Sequence, residues 1–152
     1  MADPFTIACG AAQFVGLAGQ IIEGISVVRR KFNNIKGAPK LIHRLHQEIA
    51  CLEVAFKEID SVEHYVPEHA RPALVDLMHQ SFEPIEDVFG ILIHIPRFEE
   101  TRGMKRFWKG FLADQKRPKL EEALQQLERH KNTITTFLTG LNLQMTRYGP
   151  NF

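Results

Sequence analysis

The chain has almost no excess of charge of either sign: nineteen Lys and Arg face eighteen Asp and Glu, a formal net charge of +1 over 152 residues. That excludes a general polyanion binder of histone type and leaves room for a local patch. Cysteine is scarce. Cys9 and Cys51 are too few for a disulfide scaffold and read as buried free thiols of a reducing compartment. No sustained apolar–polar alternation marks a strand. No repeat of useful period and no low-complexity segment is visible. A composition of 44% hydrophobic and 24% charged residues is not that of a disordered chain. The length suits a single domain over residues 1–152, with a sizeable core.

The signatures of catalysis and cofactor binding are missing too. There is no GxxxxGK[ST] loop, no strand to hold a GxGxxG turn, no HExxH and no Cys-x-x-Cys. Seven histidines is a high count, and His43 and His46 share a helix face at i, i+3. Glu48 follows His46, which is the wrong order for the di-iron Glu-x-x-His motif. His64, His69, His79, His94 and His130 are scattered, so all seven read as solvated or partly buried imidazoles. Both cysteines lie among apolar neighbours, which gives a nucleophile little support. The expectation is a chain that is not an enzyme, with no catalytic residues, no metal and no cofactor.

What is present is helical periodicity. A first helix is expected from about Pro4 to Phe32, with Phe14, Leu17, Ile21, Ile25 and Val28 as one stripe. A second runs from about Pro39 to Val62, where Leu41, Leu45, Ile49, Leu52, Phe56 and Ile59 repeat at 4-4-3-4-3. A third runs from Pro72 to about Ile95 on Leu74, Leu77, Met78, Phe82, Ile85, Phe89 and Leu92, with Pro84 expected to kink or break it. A short helix is expected over 104–114. A last helix over 118–147 carries Leu120, Leu124, Leu127, Ile134, Leu138 and Leu141. Long amphipathic helices with mostly short links predict an all-α fold: an antiparallel four-helix bundle with a short additional helix.

Two features exceed what a plain bundle needs. From Pro4 to Ile22 no residue is charged, and a helix of that length spans roughly 28 Å, near the thickness of a bilayer core. The run lacks the basic start of a signal peptide, and Gln13 and Gln20 make it a poor constitutive span. Gly10, Gly16, Gly19 and Gly24 would weaken this helix by about 4 kcal/mol in total against alanine. Ala8, Ala12 and Gly16, with Gly19 nearby, form a small-residue ridge for close packing or oligomerisation. Close packing inside the bundle explains the ridge as well as packing in one state and insertion in another.

The second feature is electrostatic. Between Arg102 and Lys119 seven basic residues stand against Asp114 alone, with Phe107, Trp108 and Phe111 interleaved. The stretch Ser61–Glu100 carries eight acids against Arg71 and Arg97. The near-neutral total is thus two opposed blocks that cancel. Lys105, Arg106, Trp108 and Lys109 fit an anionic lipid surface, whereas no nucleic-acid recognition motif is present. The competing reading pairs these charges with the acidic third helix and puts the aromatics in the core.

The opening MADPFTIACGAAQFVGLAGQIIEGI resembles the start of the HeLo-like N-terminal domain of fungal STAND (NOD-like) proteins and related cell-death effectors. Phe107-Trp108-Lys109, the run Pro118–Lys131 and Leu141-Asn142-Leu143 resemble the end of that domain. The resemblance implies a bundle akin to HeLo domains and to the four-helix bundle of the mixed-lineage kinase-domain-like pseudokinase. It implies programmed cell death in fungal innate immunity and heterokaryon incompatibility, by homo-oligomerisation and membrane targeting through the first helix. On that basis Phe5, Ile7, Phe14, Val15, Leu17, Ile21 and Ile22 would enter the membrane. The domain would be cytoplasmic at rest and at the plasma membrane when activated by a STAND or amyloid-type partner outside this chain. A helical adaptor that only oligomerises or recruits is the alternative, and a His-dependent metalloenzyme a distant third.

Overall fold

Gly16 decides where the first helix begins. Its φ is +89°, in the left-handed region that residues with a side chain avoid. The computed structural model describes residues 14–96, 101–113 and 116–148, with side chains over 14–96, 103–113 and 116–142. Within them α1 spans Leu17–Asn33, and the Leu17 N–H donates to the Phe14 carbonyl at 3.2 Å to close a turn before it. The continuous helix expected from Pro4 is therefore interrupted just ahead of Leu17. Its first part, to residue 13, lies outside the described residues.

The chain continues through α2 (Lys40–Val62), two 3₁₀ turns (Glu63–Tyr65 and Glu68–Ala70), α3 (Arg71–Leu92), α4 (Thr101–Ala113) and α5 (Lys116–Tyr148). The fold is all-α, with no strand among the described residues. α3 differs from expectation at two points. It runs unbroken through Pro84, and it stops at Leu92 instead of Ile95. Pro84 has no N–H to give the Gln80 carbonyl, but its ring is buried, and packing holds the helix together around it. At the end, the His94 N–H donates to the Ile91 carbonyl and tightens the last turn.

α1 packs on α2 and α3, α5 packs on α2 and α3, and α4 rests on α5. The stripes meet as their periods require. Leu17, Ile21, Ile25 and Val28 of α1 are buried with Leu45, Ile49, Leu52, Phe56 and Ile59 of α2. Leu74, Met78, Ile85 and Leu92 join from α3, and all six stripe residues of α5 are buried. Leu41, expected at the head of the α2 stripe, is half-buried; Ile42 takes the core position instead.

The stripe of α5 skips one beat. Position 131, between Leu127 and Ile134, holds a lysine, whose ammonium meets Glu48 Oε2 at 2.7 Å. The hydrogen bond to Glu48 outweighs burial and holds the Lys131 pKa above its ordinary value. Cys51, expected to be buried, is exposed, because it falls between seam positions 49 and 52 on the side of α2 turned to solvent. Cys9 lies outside the described residues.

The link between α1 and α2 is a platform for α4. Trp108 Nε1–H donates to the Lys36 carbonyl at 3.2 Å, and Gly37 sits at φ +64° under the Met104 side chain. A Cβ at Gly37 would overlap the Met104 thioether and occupy a strained backbone conformation. Gly37→Ala should lower stability by about 1–2 kcal/mol. Gly103→Ala, on α4 with open space beside it, should be neutral or stabilising by up to about 1 kcal/mol. Urea denaturation of both variants checks the pair; equal midpoints would contradict this account of the platform.

Candidate functional site

The start of α1 brings together most of the apolar residues expected to act on membranes. Phe14, Leu17 and Ile21 are buried, Ile22 is half-buried, and Val15 is 53% exposed. Phe5, Ile7, Ala8 and Ala12 lie outside the described residues. Gly16, the first described member of the small-residue ridge, precedes α1 in a left-handed conformation. At Gly19 the nearest neighbour of an added Cβ would be Asp60 Oδ1 at 3.7 Å, an ordinary contact with a side chain and not a close approach of two backbones.

Groups that the apolar pattern did not single out hold this region. The Gly16 N–H donates to Glu63 Oε2 at 3.2 Å, and Glu63 is buried. The Arg71 guanidinium lies over the Phe14 ring, 5.3 Å from its centroid, and Arg71 Nε–H donates to the Val66 carbonyl. Farther along α1, Arg29 Nη1 meets both carboxylate oxygens of Glu53 at 3.1 Å, and Lys57 reaches the same carboxylate at 3.0 Å. Burial pushes the Glu53 carboxyl up, but the hydrogen bonds from Lys57 and Arg29 outweigh it and hold its pKa below the ordinary value. One signal for Glu63 was in the sequence. It lies four residues after Ile59 and so continues the α2 rhythm with an acid.

The basic segment divides by helical phase. On α4, Trp108 and Phe111 are buried, with Met104, Phe107 and Leu112 half-buried, while Lys105, Arg106 and Lys109 are exposed. Phe107, Trp108 and Phe111 pack on one another at centroid distances of 5.3–5.4 Å. Trp108, expected to touch lipid, is instead 5% exposed with its N–H committed to Lys36. Lys105, Arg106 and Lys109 make no ion pair among the described residues, and none joins them to Asp76, Glu83 or Asp87 of α3. The aromatics therefore fold the helix against the core and the charges remain outside.

Open grooves of about 360 and 500 Å³ flank α5. One is lined by Asp87, Lys119 and Glu122, the other by Lys40, Arg44, Arg117, Glu121 and Glu128. In the second groove the charges pair locally as Arg44–Glu128 and Arg117–Glu121. Among the described residues no three of His, Cys, Asp and Glu gather as a metal site, and no helix is long and apolar enough to cross a membrane. Comparison of the chain with family models, curated proteins and solved structures gave no match.

His46 is a perturbed imidazole beside α1. It stacks on Phe32 at 4.8 Å and 6°, and its Nε2 has no hydrogen-bond partner among the described residues. Burial first, then the neighbouring Arg29 guanidinium and His43 imidazole, hold its pKa below the ordinary value of 6.5. His130 is lowered in the same direction, by burial and by Arg129, with Glu83 opposing. A histidine with a lowered pKa in the folded state binds its proton more readily when unfolded. Its stability contribution is present above the unfolded value and is lost as pH falls from there toward the folded value. Melting temperature should therefore drop between about pH 7 and pH 5. His46→Gln should flatten that slope, leaving the part due to His130; an unchanged slope in His46→Gln would contradict the assignment.

Proposed function

We propose that this chain is a cell-death effector domain of HeLo-like type. It associates with itself and permeabilises anionic membranes through its apolar N-terminal segment, in fungal innate-immunity or non-self recognition signalling. On this reading it rests in the cytoplasm as an antiparallel four-helix bundle with α4 as the short additional helix. It moves to the plasma membrane when a STAND or amyloid-type activator outside this chain releases it. No catalytic step and no cofactor is involved. The closed cycle of packed pairs α1–α2, α2–α5, α5–α3 and α3–α1 supports the bundle.

The observation that carries the functional reading is the break at Gly16. The uncharged run from Pro4 to Ile22 is not one buried core helix, because a left-handed glycine divides it. From Leu17 onward its apolar stripe lies in the core, which suits a resting state in which this stripe is sheltered from water. The exposed cations of α4 then supply attraction to an anionic surface, worth about 1 kcal/mol each and screened by salt.

A charge carried into a bilayer costs roughly 2.5–3.5 kcal/mol on insertion scales. Leu17 and Phe14 are unsuitable test positions, since a charge at either would unfold the core. The test is dye release from phosphatidylserine-containing vesicles by the full chain and by Phe5→Asp/Ile7→Asp/Val15→Asp. The triple variant should release dye at least tenfold more slowly, given three such charges, and Val15→Asp alone, at an exposed position, should keep its melting temperature. Lys105→Gln/Arg106→Gln/Lys109→Gln should also keep its melting temperature and bind the same vesicles at least tenfold more weakly. If the wild-type chain assembles and yet releases no dye, it is an oligomerising adaptor and the membrane reading is wrong.

A further inference from the structure

The start of α1 has no cap of its own, and the connection between α2 and α3 provides one. Gly16 has no side chain to accept a hydrogen bond from the first turn. In a local capping box an acid of the third helical residue returns to the N-cap N–H. Here the acid is Glu63, 47 residues away, which accepts the Gly16 N–H from a buried position. Its negative charge at a helix N-terminus also suits the helix dipole. Arg71 completes the arrangement by covering the Phe14 ring while tied to the Val66 carbonyl. Glu63 and Val66 lie between α2 and α3, and Arg71 is the first residue of α3. The far end of α1 is held separately, by Arg29 on Glu53.

We propose that Glu63 and Arg71 form a latch that holds the first turn of α1 and the Phe14 side chain against the bundle. Its opening releases α1 from the N-terminal end while the Arg29–Glu53 pair still anchors the other. The consequence of release rests on the membrane reading above; the latch itself does not. The geometry assigns each side chain its part. Glu63 must supply an acceptor, which a glutamine carbonyl also supplies. Arg71 must supply a flat cation over an aromatic ring, which lysine reproduces less well.

The experiment is amide hydrogen exchange of the full chain, read over residues 17–21 and over the α5 seam in the same samples. Glu63→Ala should speed exchange at 17–21 about tenfold, with α5 unchanged, and Arg71→Ala should act in the same direction. Glu63→Gln should exchange as wild type. Ile134→Val, which loosens the core on α5, serves as the stability-matched control and should not speed exchange selectively at 17–21. Should Glu63→Ala fail to fold, the Arg71→Ala and Glu63→Gln results decide. Exchange at 17–21 that is unchanged in the alanine variants, or raised equally by Ile134→Val, overturns the latch. Dye release by the same variants is a separate arm. Fast exchange at 17–21 without faster dye release supports the latch and counts against the membrane reading.

Discussion

A charge inside an apolar seam has to find a partner, and in this protein each such partner ties a helix to α2 or to its end. Glu53 takes Arg29 of α1, Glu48 takes Lys131 of α5, and Glu63, just past α2, takes the Gly16 backbone. Apolar stripes alone would let helices slide by a turn with little change in buried area. A buried or half-buried charge forbids that slip, because moving it one turn leaves it without a partner in a medium where that is costly. We therefore assign these contacts to register more than to net stability, which comes from the apolar stripes. α2 is the element against which α1 and α5 are positioned.

Most of the helical layout could be read from the sequence because it follows from period alone. The α5 stripe is buried at all six expected positions, and the α2 and α3 stripes lie in the core with only small shifts of phase, such as Ile42 for Leu41. The break at Gly16 was not legible. Four glycines share one apolar context, and nothing local says which adopts a positive φ. Trp108 was legible in part. Residues 104, 108 and 111 repeat at helical spacing and turn inward, while 105, 106 and 109 turn outward. Reading the segment as a block joined what the helix separates. The remote acceptor at Glu63 needed the third dimension, although its place on the α2 rhythm marked it as an acid with a buried task.

The functional reading joins two surfaces that the fold keeps apart. α1 has its apolar stripe inside the protein, and α4 has its cations outside and its aromatics inside. Weak, reversible attraction to an anionic surface requires no rearrangement, because Lys105, Arg106 and Lys109 are already exposed, while lasting residence there awaits the release of α1. Insertion requires α1 to leave α2 and α3, with loss of the burial of Leu17, Ile21 and Ile25. The two steps should therefore separate, with reversible surface binding preceding a slower release of α1.

That separation leads to the most direct test. Gly19 faces Asp60 across the α1–α2 interface, an added Cβ at 19 lying 3.7 Å from Asp60 Oδ1, so a cysteine pair here is a candidate cross-link of α1 to α2, its closure checked by loss of free thiol. In a chain with Cys9 and Cys51 replaced by serine, Gly19→Cys/Asp60→Cys should be measured for vesicle binding and dye release, oxidised and reduced. The account predicts that the oxidised protein binds anionic vesicles but releases no dye, and that reduction restores release. Equal dye release by the oxidised and reduced forms would contradict it.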